Sequence, residues 1–269
     1  MDIRSPELAD LFNRKHFDAV NHQAGRGNVR LSVDKPRDYA DVNIIGGLNV
    51  LQCCADLHVR KFIYSSTGGC VFGELAYVPA DELHPISPIE PYGASKASFE
   101  LFLPVFAQLH NVDYTILRYP NVYGARQNPD GEAGVVSIFS KRMLLGQPVV
   151  ISGDGEQERD YLYVSDVVKA NVAVLEDGHR QVYNLGWGRG VTVNEIFVRL
   201  KAITSYSKEV EHGPARIGEV RRSMLDSSRI RQALGWEPRV DLDEGLRLTS
   251  EFIREQLQID AATTRPNGH

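Results

Sequence analysis

Short apolar runs alternate with longer amphipathic segments through the first 120 residues. Residues 17–22 (FDAVNH) and 61–66 (KFIYSS) each predict a strand. Between them, apolar side chains recur at helical spacing, at Ile44, Leu48, Leu51 and Ala55. This spacing predicts a helix over about residues 39–57 with one buried face. Strand, helix and strand in this order indicate a parallel sheet covered by helices, and hence an α/β fold.

A second unit of the same kind follows. Residues 92–109 predict a helix, and residues 113–119 (DYTILRY) predict the strand after it. Pro104 falls inside that helix. We expect a kink there, because proline has no N–H to donate and its ring crowds the preceding turn.

The alternation of apolar and amphipathic segments becomes irregular after residue 119. Prolines and glycines there indicate a loop, which precedes a helix that ends near Gly146. Further elements are predicted at 182–186 (a strand) and at 193–204, 227–234 and 243–256 (helices).

These elements suggest two domains. We expect a first domain over residues 1–120 and a smaller α/β domain mainly over 121–258, with about 162–187 returning to the first sheet. Residues 259–269 lack apolar anchors and are expected to be a disordered tail.

Composition excludes several classes of partner. The formal net charge is −5 and the basic residues are evenly scattered, which argues against a nucleic-acid partner. No apolar run approaches the ~18 residues that a membrane span needs. Three cysteines without a C-x-x-C pair predict neither a disulfide framework nor a metal site, which favours a reducing cytoplasm.

Tyr92 and Lys96 stand four residues apart, so one helical turn places them on the same face. Tyrosine, with an ordinary pKa of about 10, is a poor base near neutrality, but a neighbouring ammonium lowers that pKa. A bound oxidised nicotinamide, also positive, would lower it further. The same spacing recurs by chance on helix surfaces, so the pair by itself does not decide the function.

Hydroxyl side chains end the strand before this helix. Ser65, Ser66 and Thr67 are followed by two glycines, at the edge where open parallel sheets bind ligands. A turn with no role would have the same composition. Strand, hydroxyl cluster and Tyr-x-x-x-Lys motif nevertheless occur in order, each at a boundary between strand and helix, which favours a shared site.

Nine stretches together resemble the extended short-chain dehydrogenase/reductases, and within them the UDP-glucose 4-epimerase-like members of the NAD-dependent epimerase/dehydratase family. They are HQAG (22–25), DVN (41–43), KFIYSSTGG (61–69), PYGASK (91–96), LRYPNVYG (117–124), GDG (153–155), RDY (159–161), NLG (184–186) and RIGE (216–219). The resemblance implies a Rossmann-type doubly wound sheet with a smaller substrate domain, NAD as cofactor and a UDP-sugar as substrate.

The resemblance also implies a mechanism. Tyr92 removes the proton of the sugar 4-hydroxyl, Lys96 holds the nicotinamide ribose and tunes the tyrosine, and Thr67 hydrogen-bonds the reacting oxygen. Hydride passes from sugar C4 to NAD and returns to the other face of a transient 4-keto sugar, which inverts that centre.

Two sets of binding residues follow from the same resemblance. The cofactor is expected to contact Asp2, Ile3, Gln23, Ala24, Gly25, Asn43, Ser65, Tyr92, Lys96, Tyr119 and Pro120. The nucleotide sugar is expected to contact Thr67, Asn121, Val135, Val136, Arg159, Tyr161, Arg216 and Glu219.

Related chemistries stay open. The 4,6-dehydratases carry an Asp-Glu pair directly after the hydroxyl residue, whereas this chain has Gly68 and Gly69, so dehydration is disfavoured. Epimerisation or decarboxylation of UDP-glucuronic acid begins with the same C4 oxidation and remains an alternative. Ser223 falls where a bulky residue narrows the sugar pocket in some relatives, which suggests room for an N-acetylated sugar.

The glycine-rich turn that begins a dinucleotide fold is not found ahead of residues 17–22. Asp2 and Ile3 match the dipeptide that flanks adenine in the family, so we expect a truncated cofactor domain with residues 17–22 as an open edge strand. We also expect weak or no NAD binding by this chain, which isothermal titration with NAD tests.

Two hypotheses about the function of the chain follow. It is an epimerase, or it is a non-catalytic nucleotide-sugar binder or dimerising subunit. In the family the helices predicted at 39–57 and 92–109 pair between two subunits, so a homodimer is expected.

Overall fold

Short strands form four sheets in the computed structural model, which describes residues 1–130, 134–215 and 220–263. In chain order, strands β1 to β11 span Ala19–His22, Lys61–Thr67, Asp113–Tyr119, Asn121–Tyr123, Val150–Ser152, Glu158–Arg159, Tyr161–Tyr163, Gln181–Asn184, Val191–Thr192, Glu211–Gly213 and Arg222–Ser223. Helices α1 to α12 span Leu8–Lys15, Val29–Asp34, Pro36–Ala40, Gly47–Asp56, Gly68–Val71, Pro91–Glu100, Phe102–His110, Val135–Leu144, Val164–Ala173, Val193–Thr204, Ser228–Leu234 and Leu242–Thr263.

The largest sheet has the strand order β1-β2-β3-β8, and each pair of neighbours is parallel. Side chains alternate along β2: Phe62 and Tyr64 enter the core beneath α4, α6 and α7, while Ile63 enters the core beneath α9 and α11. Helices therefore cover both faces of the sheet, and the predicted α/β fold is confirmed. Within the described residues, β1 forms one edge of this sheet.

Two long helical stretches pack against β2. The helix predicted over 39–57 is built from α3, a π-helical turn at Asp41–Gly46 and α4. The helix predicted over 92–109 is divided at Leu101 into α6 and α7. The division lies three residues before Pro104, where the missing proline N–H leaves the carbonyl of Glu100 without its helical partner. The helix is therefore interrupted close to Pro104, as the missing proline N–H leads one to expect.

A smaller unit surrounds a second core. Helices α8, α10 and α12 pack on one another and bury side chains that include Val136, Ile151, Ile196, Leu200 and Leu246. Helix α12 continues to Thr263, so the disorder expected from residue 259 is wrong up to residue 263, and residues 264–269 lie outside the described part. Within the described ranges, no helix is long and apolar enough to cross a membrane.

Candidate active site

The predicted site residues gather at the carboxyl ends of the central strands. Gln23, Ala24 and Gly25 follow β1, Thr67 ends β2, and Tyr119 ends β3 with Pro120 directly after it. Parallel strands bring their carboxyl ends to the same edge of a sheet. The site therefore spans β1 to β3 and continues into the smaller unit through β4.

Tyr92 stands on the first turn of α6. Pro91 opens the helix with a suitable fixed φ, and the Glu90 carboxylate caps it by accepting the N–H of Gly93 at 2.9 Å. A Cβ on Gly93 would lie 2.4 Å from the carbonyl oxygen of Cys70. Glycine therefore allows α6 to approach the short helix α5, which follows Thr67.

Thr67 and Tyr92 meet at this junction. The Thr67 hydroxyl lies within hydrogen-bonding reach of the Tyr92 hydroxyl and lowers its pKa, but burial outweighs this contact and raises the pKa well above its ordinary value. Cys70 and Glu90 raise it further. The predicted lowering of the Tyr92 pKa by Lys96 is therefore wrong for the protein by itself, in which the Tyr92 hydroxyl is protonated near neutral pH.

The Lys96 ammonium lies one turn further along α6, over the ring of Tyr64, with 4.5 Å between Nζ and the ring centroid. Burial lowers the pKa of Lys96 to about 8, and Glu100 partly offsets this effect. A Cβ on Gly25 would lie 3.9 Å from Nζ and 3.0 Å from Oδ1 of Asn43. The glycine keeps open a space that Lys96 and Asn43 border.

Asn43 holds the loop after β1 against helix α6. Its side chain, contributed by the π-helical turn, accepts the N–H of Arg26 at 2.7 Å and donates to Oγ of Ser95 at 2.9 Å. Ser95 in turn donates to the carbonyl of Tyr92 at 2.7 Å. Asn43 therefore ties the Gly25 loop to the turn that carries Tyr92.

A polar cluster lies on the other side of that loop. The Gln23 amide donates to the hydroxyl of Tyr119 and to Oδ1 of Asn171, both at 3.1 Å, and Ser65 also contacts Tyr119. Asn171 lies on α9, 148 positions from Gln23. No local spacing links these residues, so sequence reasoning missed Asn171.

Asp2 and Ile3 dock on the π-helical turn rather than beside Thr67. Arg4 bridges the carboxylates of Asp2 and Asp41, with 2.6 Å between the atoms of each ion pair. Ile3 covers Gly46, where a Cβ would lie 2.8 Å from its side chain. These residues border the same helix that supplies Asn43.

The predicted nucleotide-sugar residues meet across short strands. Asn121 and Tyr161 are partners in the β4–β7 pair, and Arg159 and Ser223 are partners in the β6–β11 pair. Oγ of Ser223 lies 3.4 Å from a Cβ placed on Gly69, which joins this group to the residues around Thr67.

The remaining predicted members of this group are Arg216, Glu219, Val135 and Val136. Arg216 and Glu219 lie outside the described residues. Val136 is 1% exposed and packs in the core of the smaller unit, so its side chain does not cover a ligand, whereas Val135 is half-buried at the start of α8. A cavity of about 220 Å³ is lined in part by Gln157 and Arg221. The Arg221 carbonyl accepts a hydrogen bond from Arg159 at 3.4 Å.

A family model described as the NAD dependent epimerase/dehydratase family matches residues 1–186. The chain belongs to that family. It is similar to a solved UDP-glucose 4-epimerase of Thermotoga maritima determined with UDP-glucose: 47% identity, a TM-score of 0.94, and coverage of 96% of this chain and 84% of that one.

Two further relatives are similar to this chain. The solved UDP-glucose 4-epimerase of Thermus thermophilus, in complex with NAD, is 39% identical with a TM-score of 0.90, over 94% of this chain and 83% of that one. The UDP-glucose 4-epimerase of Mycolicibacterium smegmatis is 38% identical over 96% of this chain and 82% of its own length. Matches at 31% and 33% identity include proteins named UDP-glucuronate 4-epimerase and dTDP-glucose 4,6-dehydratase.

The cofactor of this family, NAD, fits the residues present. Gly25 leaves open a space that a Cβ would fill. Gln23, Tyr119 and Lys96 offer amide, hydroxyl and ammonium groups around it. These are the donors that the ribose and nicotinamide end of a dinucleotide requires.

Cys70 was also missed, although it directly follows the glycine pair. Its thiol contacts Thr67 and Glu90, and burial raises its pKa to about 12. The thiol is therefore neutral and lies beside the Thr67 and Tyr92 hydroxyls. Cysteine spacing indicates disulfide pairing or metal binding, and it carries no signal for a single thiol in the site.

Proposed function

We propose that this protein is an NAD-dependent epimerase that inverts C4 of a UDP-sugar of the UDP-glucose and UDP-galactose type. The observation that carries the proposal is the junction of Thr67 and Tyr92. On the cofactor side, the space at Gly25 is bordered by Lys96, one turn after Tyr92 on α6. On the sugar-nucleotide side, Ser223, the strand partner of Arg159, lies beside Gly69, which follows Thr67 by two residues.

The protein's own groups divide the proton chemistry. Thr67 aligns the sugar 4-hydroxyl beside Tyr92, and Tyr92 takes its proton as general base. Burial, Cys70 and Glu90 hold the pKa of Tyr92 high, so the phenolate requires positive charge nearby. Lys96 supplies one such charge when its ammonium leaves the Tyr64 ring. Gln23, Gly25, Lys96 and Tyr119 would hold NAD, which would supply reversible hydride transfer with C4 of the sugar.

The nucleotide is held in the smaller unit. Arg159 offers a guanidinium suited to diphosphate oxygens, and Asn121 and Tyr161 lie beside it on β4 and β7. Asp160, fully buried between Arg159 and Tyr161, anchors this segment by accepting the N–H groups of Trp187 and Gly188. In this assignment Arg216 and Glu219 would add further contacts.

The chain offers no general acid directly after Thr67, because Gly68 and Gly69 stand there. This favours epimerisation over elimination of water. Epimerisation or decarboxylation of UDP-glucuronic acid uses the same first oxidation and is the second candidate. The small side chain of Ser223, next to Gly69, leaves the sugar space wide enough for an N-acetylated sugar.

The proposed assembly is a homodimer. Leu101, Val105 and Leu109 are 69%, 46% and 69% exposed and recur every four residues, which puts them on one face of α7 and the residue that caps it. Ile45, on the neighbouring helical stretch, is 57% exposed. An apolar face of this kind supports pairing of the two helical stretches with those of a second copy.

The test is an assay of the chain with NAD and UDP-galactose, UDP-N-acetylgalactosamine or UDP-glucuronic acid, with calorimetric binding of each sugar nucleotide alongside. We expect Tyr92→Phe to reduce turnover about 10²-fold or more. Tyr77→Phe changes a 43% exposed tyrosine and is the matched control.

Full activity of Tyr92→Phe would show that the mechanism is wrong. Binding of the sugar nucleotide without any turnover would favour a non-catalytic binder. The sugar with the highest kcat/KM identifies the substrate.

A further inference from the structure

A buried ion pair lies directly behind the site. The carboxylate of Glu100 accepts two hydrogen bonds from Arg118, at 3.1 Å from Nε and 2.6 Å from Nη2. The Ser66 hydroxyl donates to the same carboxylate. Glu100, Arg118 and Ser66 are 5%, 4% and 2% exposed, so the group is removed from solvent.

Each member stands next to a residue of the site. Glu100 lies on α6 four residues after Lys96, Ser66 directly precedes Thr67, and Arg118 directly precedes Tyr119. The pair therefore joins the catalytic helix to the carboxyl ends of β2 and β3. Arg118 is itself held in place, because its guanidinium carbon lies 5.1 Å from the centroid of the Phe72 ring.

Stability alone does not explain such a pair. Burying two charges costs about as much as their attraction returns, and well-packed apolar side chains serve stability equally well. Hydrogen bonds between a guanidinium and a carboxylate are directional, however, and fix one relative placement of the elements that carry them. Helix α6 ends at Glu100, so the pair acts at the last residue before the division at Leu101.

We propose that Glu100 is a positioning residue. Held by Arg118 and Ser66, it fixes helix α6 against the ends of β2 and β3, so that Tyr92 lies beside Thr67 and Lys96 lies over the Tyr64 ring. The inference rests on the proposed function. Glu100 sets the geometry of the reacting residues of that function without contacting the substrate.

Glu100 has a second consequence for the site. Lys96 forms no ion pair within the described residues, and Glu100 is the charged group that favours its protonated form against burial. Tyr64, whose ring supports the ammonium, also borders Glu100. The positioning residue thus also helps to keep Lys96 charged.

Two variants separate positioning from stability. Glu100→Gln leaves Arg118 buried without its carboxylate and is expected to unfold at lower denaturant concentration. The triple variant Glu100→Leu/Arg118→Met/Ser66→Ala refills the space with apolar groups and is expected to regain stability. The control is Lys61→Met/Asp113→Leu, which removes the buried ion pair at the opposite ends of β2 and β3.

In the assay with NAD and UDP-galactose, we expect the triple variant to lose about 10²-fold in kcat, because small displacements of catalytic groups have effects of that size. KM for the sugar nucleotide should stay unchanged, and the control should keep its kcat. A pH titration of the ¹³Cε resonance of Lys96, which needs neither ligand, should move to lower pH in the triple variant alone.

A stable triple variant with parental kcat would overturn the inference. If the parent itself turns over no UDP-sugar, the proposed function fails and the Lys96 titration decides alone. An unshifted midpoint then overturns the positioning role as well.

Discussion

Replacing Lys96 by methionine should stabilise the protein while removing its activity. Lys96 is 6% exposed, and within the described residues its ammonium has the face of Tyr64 and no ion-pair partner. Burial lowers its pKa from 10.5 to about 8. The folded state therefore disfavours the proton that the unfolded chain binds readily.

The size of the expected gain in stability follows from this shift in the Lys96 pKa. A lowering from 10.5 to about 8 corresponds to about 3 kcal/mol of lost stability. Loss of the cation–π contact with Tyr64 would remove about 1 kcal/mol in the opposite direction. Lys96→Met should thus gain about 2 kcal/mol at pH 7, or a rise in Tm of about 4–8 °C for a chain of this size.

The gain in stability from Lys96→Met depends on pH. Below about pH 8 the ammonium is present in both states and its full cost applies. As pH rises towards the pKa of the unfolded chain, the cost disappears, so the advantage of Lys96→Met should shrink. Urea denaturation of parent and variant between pH 7 and pH 10 measures this.

Lys61→Met is the matched control. Lys61 is also buried, but its Nζ lies 2.7 Å from the Asp113 carboxylate, so its replacement should destabilise the fold. A Lys96→Met variant that is less stable than the parent at pH 7, or whose advantage does not change with pH, would refute the reasoning.

Three further outcomes are expected. Asp113→Asn should cost about 3–5 kcal/mol in urea denaturation, because it leaves the Lys61 ammonium buried without its carboxylate. The pKa of Asp113 is lowered in the fold, so its contribution to parental stability should be complete above about pH 4 and disappear as pH falls through the folded value. Gly25→Val should weaken NAD binding in calorimetry with little change in Tm, and unchanged affinity would contradict the assigned cofactor space. Leu101→Lys should convert a dimer to a monomer in analytical ultracentrifugation, and a dimer that persists would exclude that face.

Local properties made part of this molecule predictable. The strand predicted over residues 113–119 matches β3, and the helix predicted over 193–204 matches α10, because apolar periodicity extends through each segment. Strands β4 to β7 and β9 to β11 have two or three residues each. A period of two is not recognisable in so few positions, and none of these strands was predicted.

The candidate site, too, was predictable only in part. Spacing along one helix predicted that Tyr92 and Lys96 lie on the same face, and the hydroxyl cluster at the end of a strand favoured a shared site. Only the family resemblance singled out Thr67 within that cluster. Neither spacing nor composition indicated that the Tyr92 pKa is raised, because that value depends on burial and on Cys70 and Glu90, which other parts of the fold supply.

The sequence by itself determined the four strands of the largest sheet, helix α6 and the family resemblance, since these depend on residues close together in the chain. Tertiary structure alone decided which distant side chains meet: Asn171 with Gln23, and Arg118 with Glu100. Such contacts follow from how helices pack across a sheet, which residue spacing does not encode.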